Sequence, residues 1–232
     1  MPTLLLDFSG PMQSWGSDSR FVHRETRMLP TKSGVIGLLA AAQGRRRNEE
    51  IEDLLALRFG VRQEQAGTLM SDFQTAIDWR SGKSMPLSYR SYLADARFLI
   101  GLEAEQSLLE GLADAIASPV FPLYLGRRSC PPSRRLVIGI RDEPLHVVLA
   151  NEQWRAADWY RRKQAKEVML LWSRDASPGE KRDETLRDSP RSFDPRHRDY
   201  GWRDVVHGWA KVKNEQGREQ RSHDEFALVG GA

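Results

Sequence analysis

The stretch YRSYLADARFLIGL, residues 89–102, places Tyr92, Ala94, Ala96, Phe98, Ile100 and Leu102 at every second position. Side chains alternate between faces along a strand, so this spacing puts all six on one side of a single β-strand. Upstream, TLMSDFQTAI (68–77) is a second extended segment, and the polar DWRSGKSMPLS between them is rich in turn formers. The two segments read as a long β-hairpin. Downstream, residues 103–117 change to helical spacing, with Leu108, Leu109, Leu112 and Ile116 on one face and Ser118-Pro119 ending the run.

Further outward, NEEIEDLLALRFG reads as a helix capped by Asn48, with Ile51, Leu54 and Leu55 on its apolar face. LPTKSGVIGLLAAAQG reads as a helix that starts at Ser33, whose hydroxyl suits the first free N–H groups, and ends at Gly44. PTLLLDFSG and RLVIGIR are short apolar runs of the kind found in buried strands. The order is strand, helix, strand, strand, helix, strand. That order predicts an α+β, ferredoxin-like fold, as in RNA-recognition domains: an antiparallel sheet with helices on one face and the other face open to a ligand. After about residue 143 the pattern changes to a helical NEQWRAADWYRRKQAK, a strand EVMLLWSR, a loop DASPGEKRDE and a last strand WRDVVHGWAKVK. This half reads as a smaller C-terminal subdomain, with a loose tail from Asn214 in which FALVGGA could pack back.

Composition bounds the function. The chain has 232 residues, 40% of them hydrophobic, and seven tryptophans, enough for a real core. Its longest apolar run, Val35 to Ala42, is far shorter than the ~20 residues a bilayer needs. MPTLLLDFSG lacks the charged leader and cleavage site of a signal peptide, so a cytoplasmic protein without membrane association is expected. One cysteine excludes an internal disulfide and offers no zinc-ligand spacing, and no metal or other cofactor is expected. The net charge is only +3, but arginine gathers at 125–135 and 187–203 while acid gathers at 48–53 and 103–114. Segregated charge of this kind can become the basic face of a nucleic-acid binder.

LGRRSCPPSRR (125–135) holds four arginines, no acid, two prolines and the lone cysteine. Pro131 and Pro132 stiffen the segment, and a guanidinium fork matches phosphate oxygens. A phosphate cradle, a Cys130 thiol activated by its neighbours and a solvated loop all fit these residues. In PTKSG, Lys32 and Ser33 stand at a helix N-terminus, either as an anion site or as an ordinary cap. The hairpin interleaves Trp79, Arg80, Lys83, Tyr89, Arg90, Tyr92 and Arg97, a mixture suited to stacking on unpaired bases or to cross-strand packing. Among the five histidines, His23 is the best acid–base candidate, and none has metal-ligand spacing.

GPMQSWG, PTKSGVIGLLAAAQG, YLADARFLIGL, PLYLGRRSCPPS and SFDPRHRDYGWR occur in this order. From about Leu4 to Lys211 they resemble the CasD-type subunits of the subtype I-E Cascade complex, members of the RAMP superfamily of CRISPR systems. Residues 144–185 depart most from that family. The resemblance implies a ferredoxin-like domain over 1–143 with a protruding thumb hairpin at about 68–102, and a smaller subdomain over 144–232. It implies a non-catalytic antiviral subunit that holds the 5′ handle of the CRISPR RNA beside the backbone subunit and the large subunit, with target DNA nearby. The implied RNA contacts are Gln13, Trp15, Lys32 and Ser33; the thumb residues Tyr89, Arg90, Tyr92 and Arg97; and Arg127, Arg128, Ser129 and Arg134 of the arginine loop. Arg196, His197 and Arg198 would meet RNA, DNA or a protein partner. A related subtype uses its counterpart subunit as a metal-independent endoribonuclease, which is the alternative reading. The Tyr/Lys/His cluster such an activity would need is not evident here.

Overall fold

Leu4, Leu5 and Leu6 are all fully buried because β1 (Thr3–Ser9) is an interior strand of a sheet and carries packed side chains on both faces. The computed structural model describes residues 1–16 and 23–219. After β1 come the two-residue strands β2 (Met12–Gln13) and β3 (His23–Arg24), then α1 (Lys32–Ala42), α2 (Glu52–Leu55) and β4 (Arg58–Gln65). β5 (Thr68–Gln74), β6 (Ser88–Ala94), β7 (Arg97–Glu103), α3 (Gln106–Ala117) and β8 (Val137–Arg141) follow. The chain continues through α4 (Leu145–Asn151), α5 (Asp158–Arg161), β9 (Glu167–Asp175), β10 (Glu184–Ser192) and β11 (Asp199–Lys213). The architecture is mixed α and β, dominated by an antiparallel sheet of seven strands in the order β10-β11-β9-β4-β7-β1-β8.

On one face, Leu4, Leu6 and Phe8 of β1 meet Ile36 and Leu39 of α1 and Leu109 and Leu112 of α3 in the main core. On the other, Leu5 and Leu99 pack against Val148 of α4. A Cβ on Gly101 would stand 2.5 Å from Leu145, so glycine at that position lets α4 lie directly on the sheet. The second face is therefore covered at its centre and is not an open platform for a ligand.

Several elements differ from the sequence reading. Residues 89–102 are two strands, because Asp95 adopts φ 56° and turns the chain between β6 and β7. β7 joins the main sheet, whereas β6 pairs with β5 in register from Thr68–Ala94 to Gln74–Ser88 and carries β2 and β3 on its other edge. The strand of the main sheet that precedes the hairpin is β4, which had looked like the end of a helix. Only Glu52–Leu55 is helical there, and Ile51 rather than Asn48 occupies its N-cap. Thr31, not Ser33, caps α1, its Oγ accepting from Gly34 N at 3.2 Å. In the C-terminal half the helices are the unforeseen α4 and the single turn α5. From Asn214 to Arg218 the chain is held: Asn214 is buried and donates to Arg161 and Ala165, and Arg218 N donates to Gln164. FALVGGA lies outside the described residues.

Candidate nucleic-acid interface

A groove of about 580 Å³ opens where the segment after β2 (Ser14–Gly16), the N-terminus of α1, the arginine loop and the β10–β11 edge meet. Its near wall begins with Gly126, which has φ 93° and a backbone so close to the β2 turn that a Cβ would lie 1.8 Å from the Ser14 carbonyl oxygen. A glycine is needed there on both counts. Ser14 N donates to Leu125 O at 3.1 Å, Leu125 N to Cys130 O at 2.7 Å, and Ser133 N to Ser9 O at 2.8 Å, so the loop is tied at three points. Arg127 projects from this frame over the ring of Tyr92 at 4.9 Å. It donates to Ser91 O at 3.2 Å and Arg24 O at 2.8 Å, which uses two of its five N–H donors, and it lines the groove. Arg24 on β3 lines the same wall.

The far wall is Arg187, Phe193, Arg198 and Tyr200. A register shift in the β10–β11 pairing between Leu186 and Ser189 sets Arg187 outward and Asp188 inward. Bulges commonly re-aim side chains in this way. Asp188 accepts from Lys32 N at 2.9 Å and from Arg203 at 2.5 and 3.0 Å. Asp175 completes the cluster, accepting from Lys32 Nζ and Phe59 N, both at 2.9 Å, and from Arg203 at 2.8 Å. Two cations and two carboxylates thus hold β9, β10 and β11 to the start of α1. Four arginines face one glutamate, Glu25, across the groove lining, and Phe193 and Tyr200 supply half-buried rings, while Trp15 lies beneath it, buried and stacked on Phe8. Such a surface attracts a polyanion and gives unpaired bases something to lie on. Among the described residues, no group of three or more His, Cys, Asp or Glu side chains is placed to hold a metal ion.

The family model described as "CRISPR-associated protein (Cas_Cas5)" matches residues 3–206, nearly the whole described chain. The chain belongs to the Cas5 family of CRISPR-associated proteins. It is 34% identical over 157 residues to the CRISPR system Cascade subunit CasD of Escherichia coli strain K12, covering 59% of this chain and 70% of that relative. Among solved structures, one described as a Cas protein is 38% identical, covers 94% of this chain and 98% of its own, and superposes with a TM-score of 0.70. A chain of a CRISPR RNA-guided surveillance complex is 28% identical with a TM-score of 0.75, at 98% coverage of both.

In this Cas5 chain the groove gathers Trp15, Ser33, Arg127 and Arg198 from the residues expected of the sequence, but not the others. Gln13 is fully buried and spends its amide on Phe8 O and Ala96 O while accepting from the Trp15 indole, so it organises the turn from within. Lys32 is buried against Asp175, and the Asp188 carboxylate already occupies the first N–H of α1; no external anion is needed there. Arg97 is taken up by Asp7, and Tyr92 is buried beneath Arg127. Tyr89 is exposed and stacks on His23 at 5.3 Å, while Arg90 is half-buried beside it. Arg128, Ser129, Arg134, Arg196 and His197 are exposed outside the groove lining. Cys130 is buried and burial raises its thiol pKa, which leaves a protonated, packed sulfur rather than a reactive thiolate. Arg24, Arg187, Phe193 and Tyr200 were not singled out from the sequence, although the last three lie in the basic stretch 187–203.

Among the described residues no helix is long and apolar enough to cross a membrane.

Proposed function

We propose that this protein is a non-catalytic RNA-binding subunit of a CRISPR Cascade surveillance complex, holding the 5′ handle of the CRISPR RNA in the groove. The observation that carries the reading is the set of Arg24, Arg127, Arg187 and Arg198 converging from both halves of the chain on one aromatic-lined groove. Similarity to the Cascade subunit CasD and to a chain of an RNA-guided surveillance complex supports RNA as the ligand and other Cascade subunits as partners. The order β4-β7-β1-β8, with α1 and α3 on one face, supports a ferredoxin-like N-terminal unit over 1–143. The β5–β6 hairpin is then a thumb inserted into it, and residues 144–232 form the smaller unit. Leu69, Phe73, Ile77, Trp79 and Met85 are exposed along that hairpin, a surface suited to the backbone subunit. Arg128, Ser129 and Arg134 extend the positive charge of the near wall toward the same RNA, and Arg196 and His197 that of the far wall.

The experiment is incubation of the purified chain with labelled CRISPR repeat RNA in EDTA, with binding and cleavage both measured. The RNA is expected to be retained intact. A discrete cleavage product, lost on His23→Ala, would instead establish the metal-independent endoribonuclease.

A further inference from the structure

Tyr200 lines the groove, and two residues along β11 stands Trp202, 67% exposed. Gly201 and Arg203 turn inward, so Tyr200 and Trp202 share the outer face of the strand. At ~3.4 Å per residue the two lie about 6.8 Å apart along it. Among the described residues, no ring stacks on Trp202 and no hydrogen bond holds its indole. The shifted stretch of β10 opposite it presents Arg187, whose Nε donates to Tyr200 O at 3.1 Å and whose guanidinium also lines the groove. The next residue on this face, Asp204, accepts from Arg182 and Thr185, so an acidic side chain closes the row after two rings.

We infer that Tyr200 and Trp202 form a stacking track that carries single-stranded RNA out of the groove, with a base on the Trp202 indole and its phosphate on Arg187. The inference rests on the groove being the RNA site. It favours a base over a protein side chain because the cross-strand surroundings are Arg187 and Thr185 rather than the contiguous apolar area a protein partner buries. An indole face beside a guanidinium suits any base, so the track would hold the strand without reading its sequence.

The test is a salt titration of the affinity of the full chain for labelled single-stranded CRISPR repeat RNA. Trp202→Ala is expected to weaken binding about 5- to 150-fold with the slope of log affinity against log salt unchanged. Trp202→Phe, which keeps a ring, is expected to retain most of the affinity, and Arg187→Ala to make the slope shallower by about 0.7. The Arg198→Ala variant reports on the groove itself. If Trp202→Ala binds as the wild type does while Arg198→Ala is weakened, the track is wrong and the groove stands. If neither variant is weakened, both fall. If Trp202→Ala keeps full RNA affinity but no longer assembles with other subunits, the indole is a protein contact and the track is overturned.

Discussion

Arg97 ends in a bidentate pair with Asp7, whereas Arg127 gives only two of its five donors to backbone carbonyls and stands at the groove. Composition makes the two look alike, since each is a cation near aromatics; only the tertiary partner separates them. Gln13 and Lys32 follow the same rule: a polar residue beside a turn or helix start looks available until its partner, tens of residues away, is known. Arg127 and Arg198 sit in stretches whose stiffness or charge bias marks them, whereas Trp15 came forward only through the family resemblance and is buried. Gly126 carries a further test. Alanine there must abandon φ 93° or displace the Ser14 carbonyl, and both move Arg127. Gly126→Ala is expected to destabilise the protein by roughly 1–3 kcal/mol and to weaken RNA binding at every salt concentration. Urea unfolding and a binding titration on the same preparation check both, and wild-type behaviour in each would show that the loop backbone is not a constraint.

At the scale of elements, β4 was hidden because its sequence, RFGVRQEQ, reads as polar. Arg62 and Glu64 are nevertheless both fully buried, paired at 2.6 Å, with Arg62 also donating to the carbonyls of Leu149 in α4 and of Glu152 and Gln153 just after it. Periodicity cannot reveal a strand whose interior-facing charges are satisfied by another part of the chain. The opposite error joined β6 to β7: alternation continues unbroken through Asp95, and a positive φ at an aspartate leaves no compositional trace. The main helices were legible because burial of Leu109, Leu112 and Ile116 writes a 3.6-residue period directly into the sequence. The charge cluster joining α1 to β10 and β11 gives the element-scale prediction. Asp188→Ala removes one of the two carboxylates that hold buried Arg203, leaving it Asp175 alone, strips Lys32 N of its acceptor, and is expected to cost about 3 kcal/mol. Asp53→Ala, which breaks the more exposed pair with Arg45, should cost less than about 1 kcal/mol. Denaturant midpoints of the two variants compare them directly, and equal midpoints would mean that the cluster does not clamp the far wall of the groove.

For the whole molecule, a net charge of +3 conceals an uneven distribution of charge along the chain. The groove draws arginines from β3, the 125–135 loop, β10 and the loop before β11, so it exists only when both halves of the chain are folded together. The sequence showed two basic stretches but not that they face one another. The central claim is that this face, and not positive charge in general, binds the RNA phosphates. Arg24 and Arg198 are exposed groove residues, while Arg46 and Arg47 are exposed beyond the C-terminal end of α1, outside the groove lining. The most direct measurement is the salt dependence of repeat-RNA affinity for the two double variants. Arg24→Ala with Arg198→Ala should lower the slope of log affinity against log salt by about 1.4, and Arg46→Ala with Arg47→Ala should leave it at the wild-type value. Equal slopes for both pairs would contradict the account.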